Sequence, residues 1–132
     1  MRLLKSFFMA TTLVFSNVSL AHEDHGPSRV EAPHGGAMRS LETIHLEMVH
    51  LNDNVKIYLY SKDMKPKAVK DIPMTATLSL PKEKSLAFVL KDMGNHWEGK
   101  YIGKDTHRYT IHLEIKQGGH KDKIEYTIER KK

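Results

Sequence analysis

The chain contains no cysteine. That absence excludes disulfide staples, thiolate-built metal sites, a cysteine nucleophile and a lipid-attachment cysteine. Any metal site must use nitrogen, oxygen or thioether ligands. Tryptophan occurs once, too rarely for the broad aromatic surface on which a polysaccharide-acting protein would seat its substrate. Neither a Gly-x-Ser-x-Gly turn nor a phosphate-cradling glycine loop is present, so the chain is read as a non-enzyme. Long apolar runs are missing too. The one concentrated apolar stretch, Phe7 to Phe15, is shorter than the roughly 20 residues that cross a bilayer as a helix.

That stretch has the order of a secretory signal. Arg2 and Lys5 precede it, and Ser19 and Ala21 put small residues where a signal peptidase reads. Cleavage after Ala21 is expected, giving a soluble periplasmic protein with no membrane insertion once the signal is removed. The remaining length suits one domain with a core that needs no staples. The formal net charge of +5 is spread along the chain without a clustered basic face interleaved with aromatics, so nucleic acid is not an expected partner.

From residue 41 onward the chain alternates apolar and polar residues with period two, the signature of half-buried strands. "LETIHLEMVH" puts Ile44, Leu46 and Met48 on one face. After the turn formers of "LNDN", "VKIYLYS" does the same with Val55, Ile57 and Leu59, so the two segments predict a hairpin. "DIPMTATLSL", "SLAFVLK", "HWEGKYI", "RYTIHLEIK" and "KIEYTIER" supply further strands, the last two joined by a turn at "QGGHKD". No segment carries an amphipathic helical stripe. The expected fold is all-β: an antiparallel, immunoglobulin-like β-sandwich of six or seven strands over residues 41–132. A signal peptide (1–21) and a flexible arm rich in His, Gly and Pro (22–40) precede it.

Three of the nine histidines fall in that arm, at His22, His25 and His34, with Glu23 and Asp24 beside them. Imidazoles and carboxylates at short spacing suit copper, zinc, nickel or cobalt. Cleavage after Ala21 would make His22 the first residue, with its amine and imidazole able to chelate one copper ion. In "PHGGAM", Pro33 stiffens the backbone before His34, and Gly35 and Gly36 permit backbone angles closed to other residues. His45 and Glu47 lie two apart on a strand and project from one face, within reach of one ion. His34, His45 and Glu47 are therefore expected to converge on copper or another divalent transition metal, with His22 or His25 completing the set. The other reading of the same residues is a solvated tail and a turn into the first strand.

"PHGG", followed about ten residues later by "IHLEMV", the hairpin with "VKIYLY" and a "KP" turn, resembles a class of small exported bacterial domains. These PHGG-type domains are related to the N-terminal domains of periplasmic adaptor subunits of heavy-metal efflux pumps. The resemblance covers about residues 32 to 80. It implies a periplasmic β-sandwich in metal handling or resistance, carries over His34, Gly35, Gly36, His45 and Glu47, and makes a component of a metal efflux system a candidate partner. No coiled-coil or barrel adaptor segment follows in this chain.

Two further groups draw attention. "IHLE" recurs at residues 111–114, giving His112 and Glu114 the relation of His45 and Glu47, on a strand expected in the other sheet. "MGNHW" places Met93, His96 and Trp97 close together, a set that suits Cu(I) or, equally, core packing around the tryptophan. The function expected is metal binding. Its alternative is a periplasmic partner-binding sandwich whose histidines are incidental.

Overall fold

The structure is a computed structural model that describes residues 30–101 and 106–130. The signal segment, His22 and His25 lie outside the described residues. Within them the chain forms β1 (Ala37–Ser40), β2 (Ile44–Leu51), β3 (Asn54–Ser61), β4 (Met74–Ser79), β5 (Leu86–Phe88), β6 (Lys91–Asp92), β7 (His96–Lys100), β8 (Arg108–Gln117) and β9 (His120–Glu129). A single 3-10 turn spans Val69–Asp71, and no α-helix occurs among the described residues. None of their helices is long and apolar enough to cross a membrane.

The strands make two antiparallel sheets, ordered β1-β2-β3-β7-β6 and β5-β4-β8-β9. The alternation read from sequence decides which residues meet between them. Ile44, Leu46, Met48, Val55, Ile57 and Leu59 from the first sheet are buried in one cluster with Met74, Leu78, Ile111, Leu113, Ile115, Ile124 and Ile128 from the second. Both sheets thus bury one face against the other in a sandwich-like arrangement. The expected hairpins form: β2 pairs β3 from Ile44↔Ser61 to Leu51↔Asn54, and β8 pairs β9 through Gln117↔His120. Gly118 and Gly119 link the second pair with φ of 50° and 91°, as a tight two-residue hairpin turn demands.

Two strands go beyond the sequence reading. Ala37–Ser40, assigned above to the arm, pairs with β2 as an edge strand, Ala37 opposite Met48 and Ser40 opposite His45. Its sequence, AMRS, has no apolar alternation because its ladder is made by backbone and not by a buried face. The single strand expected over "SLAFVLK" divides: Leu86–Phe88 pairs with β4 as β5, while Lys91–Asp92 forms β6 at the edge of the other sheet, paired through Lys91↔Glu98 and Asp92↔Trp97.

The outer face of β2 is the other surprise. His45 and Glu47 point away from the core, yet they are 6% and 0% exposed. Chain from the N-terminal arm and from the loop after β3 lies over them.

Candidate functional site

The arm reaches that face through a turn that the PHGG segment builds residue by residue. The Gly35 N–H donates to Ala32 O at 3.0 Å, closing a four-residue turn with Pro33 at its second position, where the fixed φ of proline is pre-set. Gly35 then takes φ of 71°, a left-handed conformation open to glycine at no steric cost. Gly36 passes so close to β2 that a Cβ there would sit 2.3 Å from Met48 O. The two glycines do different jobs: one turns the chain and the other lets it lie against the sheet.

That approach brings two backbone donors onto Glu47. The N–H groups of His34 and Gly36 donate to Glu47 Oε1 at 2.8 and 2.9 Å. Tyr60 Oη donates to Oε2 at 2.7 Å, and His34 Nδ1 lies 3.0 Å from the same oxygen and 3.0 Å from Tyr60 Oη. The carboxylate thus has four donors around it. Burial pushes the Glu47 carboxyl up, but the bonds from Gly36, Tyr60 and His34 outweigh it and hold it below its ordinary value. Burial, followed by the bond to Glu47, pushes the Tyr60 phenol well up. Tyr60 is accordingly a fixed donor, and Glu47 a fixed anion.

These bonds set the tautomer of His34. An ionised carboxylate only accepts, so Nδ1 carries the proton, and in the neutral ring Nε2 keeps a free lone pair. The imidazole stacks on Tyr58, with ring centroids 3.8 Å apart and planes 12° apart. It is pinned on one edge and one face, while 44% of the side chain remains open to solvent. Beyond it, His96 packs at 5.1 Å on the Tyr58 ring and lies 3.4 Å from Glu98 through Nε2.

Of the residues expected at one ion, His34 and Glu47 are joined directly. His45 is engaged elsewhere: Nδ1 lies 2.8 Å from Ser40 Oγ and Nε2 lies 3.3 Å from Lys62 O. Both nitrogens hold chain that flanks β2. Among the described residues no group of three or more His, Asp or Glu side chains is gathered closely enough to hold a metal ion. His112 and Glu114 are on β8, in the sheet opposite that of His45 and Glu47. There His112 bonds Ser79 Oγ at 2.8 Å and Glu125 at 3.0 Å, and Glu114 pairs with Lys121 at 3.0 Å. Met93, His96 and Trp97 do not share a face. Trp97 packs on the core, His96 lies on the outer surface against Tyr58, and Met93 is exposed in the β6–β7 turn.

Tyr58 and Tyr60 belong to the site and were missed in the sequence. Their signal was present: with the β2–β3 hairpin in register, Glu47 faces Tyr58 and His45 faces Tyr60. No family model matches the chain. No curated protein or solved structure matches it either.

Proposed function

We propose that this is a periplasmic metal-binding protein for copper or another divalent transition metal, with His34 as its anchoring ligand. One observation carries the reading: Glu47 holds Nδ1 of His34 at 3.0 Å, and Nε2 on the opposite side of the ring has no partner among the described residues. A carboxylate that accepts from one imidazole nitrogen and leaves the other to an ion is the usual outer support of a metal-bound histidine. In this reading Glu47 orients and does not ligate, since its oxygens already accept four bonds. His45 holds the arm's return path. His22 and His25 supply further nitrogens from the same arm, and the ion takes an exposed, easily exchanged position suited to metal handling or resistance.

Export by the N-terminal segment, the immunoglobulin-like assignment of the two sheets and a partner in a metal efflux system belong to the same proposal. Calorimetric titration with Cu(II), Zn(II), Ni(II) and Cu(I) tests it. Stoichiometric binding that is lost in His34→Ala supports the reading. Binding that is weak, and unchanged in His34→Ala, leaves a partner-binding sandwich with incidental histidines. The bonding of both His45 nitrogens to protein, at Ser40 Oγ and Lys62 O, is the observation that keeps that second reading in view.

A further inference from the structure

The two sheets end in four edge strands of very unequal length. β1, β5 and β6 have four, three and two residues, whereas β9 has ten. A long edge exposes a row of backbone donors and acceptors, and proteins usually blunt it with a bulge, a proline, charged side chains or a covering segment. β9 has no bulge and no proline, since its ten residues pair with β8 without interruption. It does carry exposed charges at Lys121, Lys123, Glu125 and Glu129, which admit a second strand only in a register that pairs opposite signs. No covering strand is hydrogen-bonded to its outer side among the described residues. Its inward residues Ile124, Tyr126 and Ile128 keep 7%, 3% and 6% exposure, while Ile111, Leu113 and Ile115 on β8 are at 0–1%. The edge of the core is thinnest here.

The sequence of β9 is complementary to itself when read antiparallel about Tyr126. Moving out from that residue in "KIEYTIE", Glu125 meets Thr127, Ile124 meets Ile128, and Lys123 meets Glu129. Every odd residue of this set faces solvent and every even one faces the core. Self-pairing in this register therefore sets isoleucine against isoleucine on the buried side and opposite charges against each other on the outer side, twice over by symmetry. Shifting the register by two residues, so that Glu125 meets Glu125 of the second copy, puts like charges together. Among the described residues Lys123 makes no ion pair within 4.0 Å, although its charge acts on Glu114 across the strand pair, and Glu129 has an exposed contact with Arg108 at 3.9 Å.

We propose that β9 is a homodimerisation strand, through which two copies join antiparallel with Tyr126 opposite Tyr126 of the second copy, extending each four-stranded sheet into one of eight. The His34 face belongs to the other sheet, and neither the register nor the charges of β9 depend on the metal reading.

Sedimentation equilibrium of the full chain over a concentration series, without metal, tests this. A reversible monomer–dimer equilibrium is expected. Lys123→Glu and Glu129→Lys should each weaken it by roughly tenfold or more, because each places like charges opposite one another at both symmetric positions. The double variant Lys123→Glu/Glu129→Lys should restore it, since the pairs re-form with signs exchanged. Thermal melting of each variant separates loss of fold from loss of pairing. For the register itself, equal parts of Glu125→Cys and Thr127→Cys chains, oxidised together, should yield the mixed disulfide dimer in preference to either like pair. A chain that stays monomeric throughout the series overturns the proposal. So does a dimer that neither charge variant weakens, or one that the double variant fails to restore.

Discussion

Glu47 holds His34 at two points: the backbone N–H of His34 reaches Oε1 at 2.8 Å, and the imidazole Nδ1 reaches Oε2 at 3.0 Å. A side chain bound this way has both its position along the chain and its ring orientation set by one carboxylate. Because Glu47 is itself fully buried, it has little alternative once the arm is in place. A buried carboxylate without these donors would be costly, so Glu47 and the PHGG turn require each other.

Replacing Glu47 by Ala leaves the Gly36 and His34 N–H groups and the Tyr60 hydroxyl without their acceptor. Losing charge-assisted bonds at a buried site costs about 3 kcal/mol. Urea melts should show that loss, and amide exchange should show Ala37–Ser40 opening before the rest of the sheet. Wild-type protection of β1 in the Ala variant would show that the carboxylate does not hold the arm.

Acidification should act through the same group. The carboxyl of Glu47 is depressed below 4.5 in the folded protein. Such a group contributes stability that is complete above its unfolded value and is lost as pH falls through the lower folded one. Stability is therefore expected to decline as the pH drops below 4.5. Glu47→Gln, which cannot titrate, should remove that part of the slope. Identical pH profiles for the two proteins would assign acid sensitivity to other groups.

For metal affinity, the roles differ by residue. His34→Ala should abolish tight binding, while Glu47→Gln should weaken it about 10- to 100-fold by releasing the ring. His45→Ala should change it little, because both His45 nitrogens are bonded to protein. Affinity should also fall with acidification, since ligating imidazoles must be unprotonated. Competition titrations with a chromophoric chelator measure all of these. A loss in His45→Ala as large as that in His34→Ala would mean that His45 leaves Ser40 and Lys62 to bind the ion.

Gly36→Ala tests the close approach to β2. Its Cβ would meet Met48 O at 2.3 Å and Glu47 Cγ at 3.0 Å, and strand backbone cannot yield cheaply. The expected cost is about 2 kcal/mol, with the arm displaced and His34 no longer pinned. Gly35→Ala should cost about 1 kcal/mol, from the positive φ alone. Equal melting temperatures for Gly36→Ala and wild type would argue against this packing.

Export with cleavage after Ala21 would give a periplasmic chain beginning at His22. The intact mass of protein from a periplasmic fraction is the direct check. A mass that retains residues 1–21 would remove both the compartment and the N-terminal chelate from the metal proposal.

Period-two alternation was sufficient to determine the strands that bury Ile44, Leu46, Met48, Ile111, Leu113 and Ile115, because one-sided burial leaves its mark on every second residue. Local turn chemistry was partly readable: "QGGHKD" marked the turn from β8 into β9, and Gly35 and Gly36 marked a place where the arm could turn, but not that it would lie against β2. The short edge strand β1 escaped, since it is held by backbone bonds to β2 that leave no apolar alternation in its sequence. Tertiary structure alone decided that the outer face of β2 would be covered, and by what. From sequence, His45 and Glu47 were a matched pair on a polar face. In the fold the arm returns across Glu47 and the loop after β3 reaches His45, which buries both and gives them different partners. Tyr58 and Tyr60 joined the site for the same reason: a strand's neighbours come from register, and the value of a buried carboxylate comes from the donors that long-range packing brings to it.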